Sequence, residues 1–171
     1  MAMMMRHLIT GTVLAMTLIP ALASAQKMVI LTRHAERADG AATMSVPGGA
    51  PVDPALSAAG EARAQKLAGM LADANIAAMF TTEYRRTKDT AAPLAAKLKL
   101  TPEVIPAAQM AAVVDKIKSR TDETVFVVGH SNTVGAIIKA LGGPDVTIGD
   151  AEYDNLFIYV PATKTLTRIR Y

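Results

Sequence analysis

Short apolar blocks alternate along this chain with longer stretches in which apolar positions recur at helical spacing. Met28 to Leu31 holds no polar residue, the pattern of a central strand covered on both faces. Ile76 to Phe80 repeats it, Val104 and Ile105 suggest a short strand, and Thr124 to Val128 reads most clearly as a strand. Between them, Ser57 is placed to cap a helix running to about Ala74, with Glu61 in its first turn and Leu67, Met70 and Leu71 as its apolar stripe. A second helix is expected from about Tyr84 to Leu98, with Pro93 imposing a kink or a break at Ala92. Ala107 to Ser119 and Thr133 to Leu141 read as two further helices.

Ala38 to Asp53 carries Gly40, Pro47, Gly48, Gly49 and Pro51, too many breakers for a regular element, and is expected to form a loop over one end of the sheet. Asn155 to Val160 and Thr165 to Tyr171 look like a closing hairpin around Pro161 to Lys164. Strands alternating with helices predict an α/β fold: a three-layer α/β/α sandwich with a mostly parallel central sheet and a C-terminal hairpin.

At 171 residues the chain has room for one such domain, placed at residues 26–171. The first 25 residues have another character. Arg6 and His7 lead into the apolar run Leu8 to Ala21, followed by Ala23, Ser24 and Ala25, the order of a signal peptide. That run falls short of the roughly 20 residues that span a bilayer. The expectation is cleavage after Ala25 and an exported protein, periplasmic or secreted, without stable membrane insertion; an uncleaved leader acting as an anchor is the alternative. The chain has no cysteine, which removes disulfides, thiolate nucleophiles and cysteine-ligated metals. Net charge is only +3, and Lys97, Lys99, Lys116, Lys118 and Arg120 lie on surface helices without an aromatic stacking pattern, so no nucleic-acid partner is expected.

Three polar clusters fall where strands end: Thr32 to Glu36, Thr81 to Arg86, and Gly129 to Asn132. The carboxyl ends of strands in an open α/β sheet share one crevice, so the clusters are expected to converge. Arginine offers a planar, permanently charged fork matched to phosphate oxygens, which suits Arg33 and Arg86 to holding a phosphate and its transition state. A neutral imidazole beside them can attack phosphorus in line.

These residues resemble the histidine phosphatase superfamily, also called phosphoglycerate mutase-like. The family's opening strand ends in Arg-His, here within Leu31-Thr32-Arg33-His34-Ala35-Glu36, with alanine where many members have glycine. Asp53-Pro54-Ala55-Leu56-Ser57 with Gly60 resembles its leucine-serine-x-x-glycine helix start. Thr82 to Ala91 resembles its Ser-x-x-x-Arg-x-x-x-Thr-Ala signature, with Arg86 and Thr90 in the matching places. Val127 to Asn132 resembles the strand that delivers the second histidine, His130. The resemblance implies a covalent phosphohistidine on His34, Arg33, Arg86 and His130 around the transferred phosphate, and no metal or organic cofactor.

Arg37 and Asn132 are expected among the substrate-binding residues, although an exposed ion pair for Glu36 and Arg37, and helix capping for Ser131 and Asn132, fit the sequence equally. The leaving oxygen needs a proton, which family members draw from a carboxylic acid after the second arginine. Here Glu103 is the first choice, with Asp150, Glu152 and Asp154 as competitors, because no acid lies between Glu103 and Asp115. The expected activity is phosphomonoester hydrolysis on a small phosphorylated substrate. Neutral His34 would attack while protonated His130 steadies the phosphate, giving a weakly acidic optimum. A non-catalytic phosphate-binding module and, less favoured, a phosphomutase are the alternatives.

Overall fold

The computed structural model describes residues 28–39 and 53–171. The expected leader and most of the Ala38 to Asp53 loop lie outside the described residues. Among these, six strands form one mixed sheet in the order β3-β2-β4-β1-β5-β6. The strands are β1 (Met28–Arg33), β2 (Ile76–Thr81), β3 (Glu103–Val104), β4 (Thr124–Gly129), β5 (Asn155–Val160) and β6 (Thr165–Arg170). β3, β2, β4 and β1 run parallel, while β5 lies antiparallel to β1 and forms a hairpin with β6. The helices are α1 (Ala58–Met70), α2 (Arg85–Leu98), α3 (Met110–Ser119) and α4 (Ser131–Ala140).

Side chains alternate across the central strands, so each feeds two cores. Val29 and Leu31 of β1 join Val125 and Val127 of β4 beneath α3 and α4, with Val113, Ile117, Val134 and Ile138. Ile30 of β1 joins Phe126 and Val128 of β4 beneath α1 and α2, with Leu67, Leu71 and Leu94. No helix among the described residues is long and apolar enough to cross a membrane.

The helix boundaries depart from the sequence reading in four places. α1 ends at Met70, which is 44% exposed; its buried stripe keeps the expected Leu67 and Leu71 and adds Ala64 and Ala68. α2 is not broken at Ala92: it runs on through Pro93 to Leu98, the burial of Thr87, Ala91, Leu94 and Ala95 offsetting the lost N–H bond and the crowding of the ring against the preceding turn. It stops at Lys99 in the left-handed region, φ 56°, with Leu100 N–H closing on the Ala95 carbonyl. α3 starts at Met110 rather than Ala107, since the Ala107 N–H is taken by the Glu83 carboxylate and Gln109 N–H turns back to Pro106. α4 starts at Ser131, directly after His130, whose N–H is received by the Thr133 hydroxyl at 2.8 Å.

Ser57 caps α1 as expected, its Oγ accepting from Gly60 N–H at 3.1 Å. Gly60 meets the chain just past β1 so closely that a Cβ there would lie 2.3 Å from the Glu36 carbonyl oxygen. Ser57 N–H donates to that same carbonyl at 2.9 Å. The start of α1 is thereby seated on the residues that follow His34.

Candidate active site

β1 and β4 are neighbours with Arg33 opposite Gly129, and His34 N–H donates to the Gly129 carbonyl at 2.9 Å. The next side chain of each strand is a histidine, so the rings of His34 and His130 stand edge to face with centroids 5.3 Å apart. Around them opens a crevice of about 470 Å³ whose lining includes Arg33, His34, Arg37, Arg86, His130 and Asn132. Tyr84, Ser131 and Thr133 also line it.

His34 Nδ1 lies 2.8 Å from the Ala35 carbonyl oxygen. A carbonyl only accepts, so Nδ1 carries the proton and Nε2 keeps its lone pair. Burial drives the His34 pKa down to about 3, with the positive surroundings of His130, Arg86 and Arg33 adding to it and the Ala35 bond opposing. Ala35 N–H in turn donates to Thr90 Oγ1 at 2.9 Å, and that hydroxyl donates to the Arg86 carbonyl at 2.7 Å. Thr90 thus fastens the peptide that follows His34 to α2.

His130 is oriented by a relay of hydroxyls. The Thr87 hydroxyl donates to the Tyr84 carbonyl at 2.7 Å and to the Thr82 carbonyl at 3.1 Å. Its proton being committed, Thr87 accepts from Thr82 Oγ1 at 2.9 Å, and Thr82 Oγ1 accepts from His130 Nε2 at 3.0 Å. His130 therefore bears its proton on Nε2. Its pKa is lowered to about 4, first by burial and then by Arg86 and Arg33, while Glu83 and Asp53 pull the other way. In the empty site both shifts favour the neutral imidazole.

Each arginine lies over a tyrosine. The Arg33 guanidinium is 4.1 Å from the centre of the Tyr153 ring, and that of Arg86 is 4.2 Å from Tyr84. Arg33 Nη1 donates to the carbonyls of Gly149 at 3.0 Å and Asp150 at 2.8 Å, which fixes the plane of the group. Asp53 stands 3.6 Å from Arg86 Nη1 and accepts the Arg85 N–H at 2.8 Å, joining the guanidinium to the start of α2. Burial, then Arg37, lowers the Arg86 pKa from its ordinary value, with Asp53 opposing. Arg37 is clasped by Asp39 through Nε at 2.9 Å and Nη2 at 2.6 Å while still lining the crevice.

The carboxylates expected to supply a proton are not brought here. Glu103 sits on the edge strand β3 and pairs with Lys116 of α3 at 2.8 Å, because the two-residue strand turns it toward that helix. Glu152 is held by Gly149 N–H and by Arg168 and Arg170 of β6, and Arg170 first among them draws its pKa to about 2. Asp154 pairs with Arg170, and Asp150 contributes its backbone carbonyl to Arg33. Glu36 turns away to Arg63 at 2.6 Å. None of these carboxylates lines the crevice.

The sequence reading missed Tyr84, Tyr153 and the Thr82–Thr87 relay. A signal was present: the chain has only four tyrosines, and two of them stand within two residues of candidate site residues. Among the described residues no group of His, Asp and Glu is arranged to hold a metal ion.

Residues 29–109 match the family model of the histidine phosphatase superfamily, branch 1, a span that takes in Arg33, His34, Arg37 and Arg86 and ends before His130. No curated protein matches the sequence. Among solved structures, the chain is similar to a phosphoserine phosphatase of Entamoeba histolytica in complex with 3-phosphoglyceric acid. The TM-score is 0.62 at 13% identity, covering 83% of this chain and 94% of that one. It is similar as well to a mycobacterial glucosyl-3-phosphoglycerate phosphatase in complex with VO3, at TM-score 0.62 and 16% identity over 85% of this chain and 97% of that one. The match to the family model ends short of β4, and the likeness to these two structures, both below 25% identity, is one of fold.

Proposed function

We propose that this protein is a phosphomonoesterase that works through a covalent phosphohistidine on His34. The observation that carries the reading is the state of that imidazole: proton fixed on Nδ1, Nε2 lone pair unspent, pKa near 3, and an arginine on either side. Nε2 attacks phosphorus, the bond to the leaving oxygen breaks, and water then cleaves the N–P bond to release phosphate. Arg33 and Arg86 hold the equatorial oxygens where negative charge spreads in the transition state. The rings and carbonyls behind them fix both groups before substrate arrives, so little reorganisation is left to the reaction.

His130 is neutral in the empty site and becomes a cation when a phosphate dianion enters, since the anion raises its proton affinity. Asn132 and Arg37 are assigned to the substrate, and Ser131 to Thr133, the first turn of α4, line the same crevice, where a helix N-terminus favours an anion. The signal-peptide order of the first 25 residues supports export, with small phosphorylated molecules outside the cytoplasm as the proposed substrates.

The test is hydrolysis of 4-nitrophenyl phosphate by the purified protein beside His34→Ala. The expected result is turnover that depends on His34 and passes through an acid-labile, base-stable phosphoenzyme. Well-folded protein that binds phosphate without turnover would instead make it a binding module.

A further inference from the structure

We propose that the site, taken as the phosphatase just described, is built for aryl and acyl phosphates, whose leaving groups depart without a proton from the enzyme. The argument is an accounting of acids. The chain has 15 Asp and Glu residues, and residues 1–27 and 40–52 contain none of them, so every carboxylate belongs to the described part of the structure. None lines the crevice.

Three carboxylates are bound to residues that do line it, and each is engaged as an acceptor. Asp39 gives both oxygens to the fork of Arg37, and Asp53 gives both to Arg85 N–H with Arg86 alongside. Glu83 accepts the Ala107 N–H at 2.8 Å, with its side chain exposed. The proton on His130 Nε2 is directed at Thr82, away from the crevice. What surrounds the phosphate is therefore a set of cations, His130 among them once the dianion has raised its proton affinity, that are spent on the phosphoryl oxygens, and no carboxylic acid lines the crevice beside the departing oxygen.

In such a site the His34 Nε2–P bond forms as the P–O bond breaks, and the electron pair leaves on the oxygen. An alkoxide carries that charge badly. A phenolate or carboxylate carries it well and takes its proton afterwards from solvent. Water then adds its oxygen to phosphorus, the N–P pair returns to His34, one water proton stays on the released phosphate and the other passes to bulk.

The experiment is kcat/KM, which reads the steps up to phosphoenzyme formation, for aryl phosphates of graded leaving-group acidity, for acetyl phosphate and for glycerol 2-phosphate. The expected result is a steep fall, by roughly a thousandfold or more from 4-nitrophenyl phosphate to glycerol 2-phosphate, the size of an absent general acid. The Glu83→Gln variant should show the same slope. Rates within about tenfold across the series would overturn the proposal, as would a Glu83→Gln variant that loses about a hundredfold on glycerol 2-phosphate alone. Absence of both turnover and phosphoenzyme with 4-nitrophenyl phosphate would remove the underlying phosphatase reading, an outcome distinct from a flat series.

Discussion

Glu152 and Arg33 hold opposite sides of one residue: Gly149 N–H donates to the Glu152 carboxylate at 2.8 Å, while the Gly149 carbonyl accepts from Arg33 Nη1 at 3.0 Å. Arg168 and Arg170 anchor Glu152 from β6, so the hairpin at the edge of the sheet reaches the crevice through this turn. Glu152 is a positioning residue on this reading. Glu152→Ala should raise KM for an aryl phosphate by roughly tenfold with kcat less affected, because a guanidinium free to drift loses the geometry it was built to keep. An unchanged KM in a folded variant would separate the turn from the site.

Removing the acceptor behind His130 should be costly. In Thr82→Val the His130 Nε2–H is left buried without a partner, a penalty of about 1–3 kcal/mol. Expressed in catalysis this is a loss of roughly tenfold to a hundredfold in kcat/KM. Thr82→Ser keeps the hydroxyl and should restore most of it. Equal losses in both variants would assign the effect to packing rather than to the relay.

The two lowered histidine pKa values carry a prediction for the empty protein. An imidazole NMR titration should place both transitions well below the ordinary 6.5, at about 3 for His34 and about 4 for His130. The sign for stability follows from linkage. Between those values and about 6.5 the unfolded chain binds protons that the folded chain refuses, so stability is full above about pH 6.5 and falls as pH drops toward 4. Thermal unfolding should therefore show a Tm that declines from pH 7 to pH 4.5 more steeply than in the His34→Gln, His130→Gln double variant. Parallel declines would contradict it.

Two glycines on α1 should respond oppositely to alanine. At Gly60 the added carbon would meet the Glu36 carbonyl at 2.3 Å, and backbone must shift on both sides. Gly60→Ala should cost about 1–3 kcal/mol or more in urea unfolding, with activity reduced because the displaced segment follows His34. Gly69 has nothing within 4 Å of such a carbon, and Gly69→Ala should gain about 0.5–1 kcal/mol from helix propensity.

The strands were readable because a buried parallel strand leaves an unmixed apolar run, and Val29, Leu31, Val125 and Val127 are such runs. Arg33, His34 and His130 were readable because each stands at a strand's carboxyl end. Arg86 is one turn-start further on, and only the signature spacing separated it from Arg85, which faces Asp89 at 3.1 Å. The helix ends were less legible, since they were settled by contacts outside each helix: Met70 lost its place to Ala64 and Ala68, and Glu83 set the start of α3 by taking the Ala107 N–H. The acid was illegible for a related reason. Glu103 has a suitable place in the chain order, but a two-residue edge strand leaves it beside Lys116, which no local pattern reports. Tyr84 and Tyr153 were overlooked because their task is to lie beneath a guanidinium, and that partnership depends on tertiary placement.

The ladder between β1 and β4 has a bearing on how the molecule acquires activity. His34 and His130 come from distant parts of the chain, and they meet only because β4 occupies the centre of the sheet, with β2 on one side and β1 on the other. Parallel pairing of that range is slow to form, since the loop entropy is lost before the contacts repay it. Until β4 pairs with β1, Arg86 and the two histidines do not share one crevice. Phosphate binding during refolding is thus a clock for the insertion of β4, and its recovery should trail the return of helical signal rather than accompany it.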